Sequence, residues 1–297
     1  MKWQSDSKIL IQGVAEPAAA YYATRLYASG TQIVAGVESG QGGSQVGEIP
    51  VFDLVEQAVA AKGEIDITLI FLPPYRVLDG ALEAIAAGIR QIIIISAGVP
   101  PLDMVYLLRE AQTTNTFILG SGSQGLLLPG KLWLGTSEPE FYTPGSVGIV
   151  SRTEQLMGEI ARELTQAGIG QSIAVSLGTD SIIGSTFEQW LQILEEDEAT
   201  EAIVLLGQPN GCAEIAAAEY IAAAIEKPVV AYIAGLHAPV ERRLADATTI
   251  IAAQLSHSVP AISTDKQAIS AFKQAQVKVA KRPSEIPQLL KTALKMG

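Results

Sequence analysis

The sequence predicts an α/β protein built from two parallel-sheet domains. Three observations predict it. The chain has 297 residues, enough for two domains of ordinary size that each bury a core. Short apolar, β-rich runs alternate with Ala-rich segments of helical spacing, the signature of βαβ units. The alternation restarts after Pro144-Gly145, as it would at the opening of a second sheet.

In chain order, the expected strands of the first half are Ile9 to Gln12, Ile33 to Ala35, Ile67 to Leu72 and Ile92 to Ile95. Helices are expected after them at Ala18 to Ser29, Leu54 to Lys62, Leu78 to Gly88 and Met104 to Gln112. In the second half the strands are Val147 to Val150, Ile173 to Val175, Ile203 to Leu206 and Val229 to Tyr232. Their helices fall near Glu154 to Gln166, Thr186 to Glu195, Ala213 to Ile225 and Lys266 to Gln274. The Pro-, Gly- and aromatic-rich stretch from Pro129 to Gly145 reads as a connector.

Composition removes several function classes. A formal charge of −11 opposes wrapping of nucleic acid, which needs a basic surface to displace counterions. Apolar residues make up 48 % of the chain, yet no run approaches the roughly 18 residues that cross a bilayer, so a soluble protein without membrane association is expected. Met1 to Lys8 lacks the zones of a secretory signal, and a cytoplasmic location is the expectation. One cysteine, Cys212, and two histidines give neither a disulfide nor a structural metal cluster. Cys212 is expected as a small buried helix-packing residue, and Glu195 to Glu198 as a solvated helix end.

Parallel sheets bind ligands outside the carboxyl ends of their strands, where helix N-termini offer free N–H groups. Candidate loops are therefore Gly13–Pro17, Gly36–Gly43, Leu72–Tyr75, Ser96–Pro100, Gly120–Gly125, Ser151–Gln155, Gly178–Ser185, Gly207–Ala213 and Gly235–Thr248. Glu38 closes the second strand, where NAD-binding folds place an acid for the ribose hydroxyls, but the glycine fingerprint at Gly13 is missing and NAD is not expected. Asp180 is expected to cap or brace its own loop.

Those loops, taken in order, carry Gly36-Val37, Gly40-Gln41-Gly42-Gly43, Pro50-Val51-Phe52, Pro100-Pro101-Leu102-Asp103-Met104, Leu128-Pro129-Gly130 and Val147-Gly148-Ile149-Val150-Ser151-Arg152. Lys227-Pro228-Val229-Val230, Tyr232-Ile233-Ala234-Gly235 and Ala238-Pro239 follow. The ordered series resembles the α subunit of succinyl-CoA synthetase (succinate–CoA ligase, NDP-forming) over essentially the whole chain. The resemblance implies a Rossmann-like CoA-binding domain over residues 1–130, a connector over 131–145 and a flavodoxin-like ligase domain over 146–297. It also implies coenzyme A as cofactor, with contacts from Gly13, Gln41, Gly42, Gly43, Ser96 and Gly98, and a phosphate site at Ser123, Ser151, Thr153 and Glu154. An ATP-grasp β-like subunit, or self-association, is the implied partner.

The family transfers phosphate through a histidine in a Gly-His-Ala-Gly-Ala run, and here that run reads Ala245-Asp246-Ala247-Thr248-Thr249. The glutamate that supports the histidine is replaced by Gln208 in Gly207-Gln208-Pro209-Asn210-Gly211. The family's Ser-Arg-Ser-Gly-Thr becomes Ser151-Arg152-Thr153-Glu154-Gln155, placing a carboxylate where N–H groups would meet an anion. At about 5 Å and an effective dielectric near 20, two like charges repel by roughly 3 kcal/mol, on the order of a hundredfold in affinity. At the CoA end, Glu16 fills the anion position after Gly13, Gln41 replaces a basic residue, and Ala97 replaces an acidic one.

These changes point to a catalytically degenerate homologue acting as a non-catalytic binding, regulatory or structural subunit. Two alternatives stand beside it. One is an active acyl-CoA ligase subunit using an unconventional nucleophile, with Asp246 able to form an acyl phosphate and His237 or His257 as relocated histidines. The other is a CoA or nucleotide sensor using Gly42, Gly43 and Gly98.

Overall fold

The computed structural model describes residues 3–153, 155–208, 212–235 and 264–294. Two seven-stranded, mostly parallel sheets organise the chain. The first runs in the order β3-β4-β2-β1-β5-β6-β7, with β1 Ile9–Gln12, β2 Ile33–Val37, β3 Gln45–Val46, β4 Ile49–Phe52, β5 Ile67–Ile70, β6 Gln91–Ile94 and β7 Phe117–Leu119. Helices α1 Pro17–Ala28, α2 Val55–Lys62, α3 Val77–Ala86 and α4 Pro101–Thr113 connect them. β1 sits between two parallel partners, Leu10 lying opposite Ala35 of β2 and Thr68 of β5. The chain therefore builds outward on one side through β2 and β4, and then on the other through β5, β6 and β7. The direction reverses between β1 and β5, which is where such a sheet opens a ligand crevice.

The second sheet runs β14-β13-β12-β10-β11-β8-β9, with β8 Gly125–Leu128, β9 Leu132–Gly135, β10 Pro144–Ser151, β11 Gln171–Ser176, β12 Ala202–Gly207, β13 Val229–Ile233 and β14 Lys278–Ala280. Its described helices are α5 Leu156–Gln166, α6 Phe187–Glu196, α7 Cys212–Ala224, α8 Thr264–Gln274 and α9 Ile286–Ala293. Here the reversal lies between β10 and β12, which pair through Val150 and Leu205. β8 and β9 form an antiparallel hairpin that joins the second sheet through β11, and β9 falls within the segment read from sequence as a connector. The β8–β9 turn is Pro129-Gly130-Lys131, with Gly130 at φ +73, a conformation glycine adopts without steric cost.

Near-continuous apolar strands follow from burial on both faces. In β1, Ile9 and Ile11 point into a core that includes Ala19, Ala23 and Leu26 of α1 and runs on into the second sheet. Leu10 points the other way, into a core with Val55 and Ala58 of α2, Val77 and Ala81 of α3 and Met104 and Leu107 of α4. That split is the period-2 alternation of a strand made visible in packing. Several contacts fasten the halves together. Trp3 stacks on Trp190 of α6 at 5.0 Å between centroids. Arg25 of α1 pairs with Glu138 at 2.6 Å and Glu140 at 2.7 Å, its guanidinium lying 5.2 Å from the Trp133 ring. Among the described residues, no helix is long and apolar enough to cross a membrane.

Candidate functional site

Among the described residues, the expected site residues lie in loops that follow β1, β2 and β6 of the first sheet and β10 and β12 of the second, with Ser123 in the loop before β8. After β1, the Gly13 N–H donates to Val37 O at 2.9 Å, and its positive φ of +75 lets the chain turn back over β2. A Cβ at Gly13 would lie 3.0 Å from Leu72 N, so the close approach of the β1 and β5 loops requires glycine. Glu16 is the half-buried residue preceding α1, with Pro17 at the first helical position, and its side chain accepts no capping hydrogen bond. In the next loop Gln41 is exposed and donates its N–H to Glu38 O. The Gly42 N–H donates to the Asp53 carboxylate at 2.9 Å, and Gly43 to Val51 O. Ser96 donates its hydroxyl to Leu72 O at 2.5 Å.

Gly98 is linked to the second domain. Its N–H and that of Val99 donate to the carboxylate of Asp180, at 2.9 Å and 3.2 Å, and the Ser121 hydroxyl donates to the same carboxylate at 2.6 Å. Asp180 thus braces the loop after β6 against the loop after β11. The bracing role expected of Asp180 is present, but its partners lie in other loops. Arg152 extends the chain of contacts by donating from Nη2 to Asp180 O at 3.3 Å.

At the second reversal point, after β10, Ser151 and Thr153 are buried and share a hydrogen bond between hydroxyls at 2.8 Å; the Thr153 N–H also donates to Ser151 Oγ. Gln208, after β12, donates from Nε2 to Arg152 O at 2.6 Å. Its own N–H donates to Glu214 Oε1 at 2.9 Å. Glu214 in the first turn of α7 is fully buried, and that burial pushes its carboxyl above the ordinary range; the Gln208 N–H bond and the charge of Arg152 pull the other way. Ser123 is buried in the loop before β8, donating to Ser176 O and accepting from the Gly125 N–H. The structure therefore joins Gln208, Arg152, Asp180, Gly98 and Ser121 into one polar network. Glu214 joins it through the Gln208 N–H, and Arg152, Asp180, Ser121 and Glu214 are members that the sequence did not single out for the site.

Asp246, Glu154, His237 and His257 lie outside the described residues, as does Pro209-Asn210-Gly211. Cys212 corrects an expectation. It is exposed at the start of α7, because the buried positions of that helix are taken by Glu214, Ala217, Ala218 and Ile221. Among the described residues, no cluster of His, Cys, Asp and Glu could hold a metal ion.

Two mostly parallel sheets, each with its own reversal point, define a two-domain α/β protein with a Rossmann-like first half and a flavodoxin-like second half. Residues 4–98 match the CoA binding domain family, and residues 144–293 match the succinyl-CoA ligase like flavodoxin domain family. The chain is 36 % identical over 284 residues to succinate–CoA ligase [ADP-forming] subunit alpha 2 of Archaeoglobus fulgidus, covering 96 % of each. It is 35 % identical over 295 residues to subunit alpha of the Aquifex aeolicus enzyme, covering 98 % of this chain and 93 % of that one. The protein belongs to the succinyl-CoA ligase α-subunit family. Among solved structures, ATP citrate lyase from Methanothrix soehngenii in complex with citrate and coenzyme A superimposes with a TM-score of 0.84 at 20 % identity over 100 % of this chain. The chain spans about half of that protein, 51 % of its length, and the likeness is one of fold.

Proposed function

We propose that this chain is a non-catalytic α-type subunit: it keeps the two-domain ligase scaffold but does not carry a phosphoryl group. The observation that carries the proposal is the state of the loop after β10. Ser151 and Thr153 are hydrogen-bonded to each other and buried. Gln208 offers an amide, tied to Arg152 O, where the resemblance calls for a carboxylate that supports a phosphohistidine. A neutral amide cannot stabilise the positive charge an imidazole gathers during phosphoryl transfer as a carboxylate can. In sequence, Asp246 replaces the histidine and Glu154 introduces a carboxylate into the run Ser151-Arg152-Thr153-Glu154-Gln155.

The relatives are named as α subunits of ADP-forming succinate–CoA ligases, and a β-type subunit is the partner this reading assigns. The resemblance implies coenzyme A at the first domain, where Glu16 weakens the site by adding negative charge and Gln41 by replacing a basic residue. The test is reconstitution with a β-type subunit. Complex formation by size-exclusion chromatography, without succinyl-CoA formation from succinate, CoA and ATP, is the expected result. Turnover that depends on this chain would overturn the reading and favour an active ligase with an unconventional nucleophile.

A further inference from the structure

We draw no further inference here: the strongest candidate, the exposed apolar patch that Leu102 and Tyr106 form one turn apart on the outer face of α4, carries nothing because nothing in the structure shows what covers it.

Discussion

Replacing Asp180 with alanine tests the joint between the two domains. The carboxylate accepts from Gly98 N–H, Val99 N–H and the Ser121 hydroxyl. Hydrogen bonds to a charged acceptor contribute about 1.5–3 kcal/mol each. Val99 is 5 % exposed and Ser121 fully buried, so their donors would be stranded, whereas Gly98 is exposed and water would replace the lost acceptor. Counting two bonds near the low end, Asp180→Ala should cost about 3 kcal/mol. For a chain of this size that is a fall in Tm of roughly 6–12 °C. Asp180→Asn keeps one acceptor oxygen and should cost about 1–2 kcal/mol. Urea unfolding followed by tryptophan fluorescence and by circular dichroism measures both. An Asp180→Ala variant within about 0.5 kcal/mol of wild type, the range of an ordinary surface change, would refute the idea that this brace holds the domains.

Other substitutions test separate parts of the scaffold. Glu214→Gln should be more stable than wild type near about pH 7 but not near about pH 4. Burial raises the native carboxyl above its unfolded value, so its contribution to stability is fully present below the unfolded pKa and is lost as pH rises through the folded one; urea midpoints across that range report the difference. Arg25→Ala removes two ion pairs and the contact with Trp133, and should lower stability by about 1–2 kcal/mol, with the ion-pair part shrinking as salt rises. Gly13→Ala forces a Cβ onto the Leu72 backbone at positive φ and should cost about 1–3 kcal/mol in thermal unfolding.

Most of the parallel framework was legible because its strands are buried on both faces. Ile9–Gln12 and the helix at Pro17–Ala28 lie within a residue of expectation. The hairpin of β8 and β9 was not, because Pro129-Gly130 carries a turn signal that also suits a connector, and the flanking runs Leu126-Leu127-Leu128 and Leu132-Trp133-Leu134 are short. Cys212 was misplaced because α7 is Ala-rich, so composition does not reveal which face is buried. The candidate site was legible as a set of loops but not as a network. Asp180 reaches Gly98 across 82 residues of sequence, and the Gln208 amide reaches Arg152 across 56, pairings that only the packed sheets create.

Phosphoryl transfer is tested most directly by labelling. The full chain, mixed with a β-type subunit, magnesium and ATP labelled at the γ-phosphate, is expected to acquire no covalent phosphate, while an active α subunit treated in parallel does. A stoichiometric label on Asp246, discharged by hydroxylamine, or an acid-labile label on His257, would contradict the account and show that the family's chemistry persists on a new nucleophile.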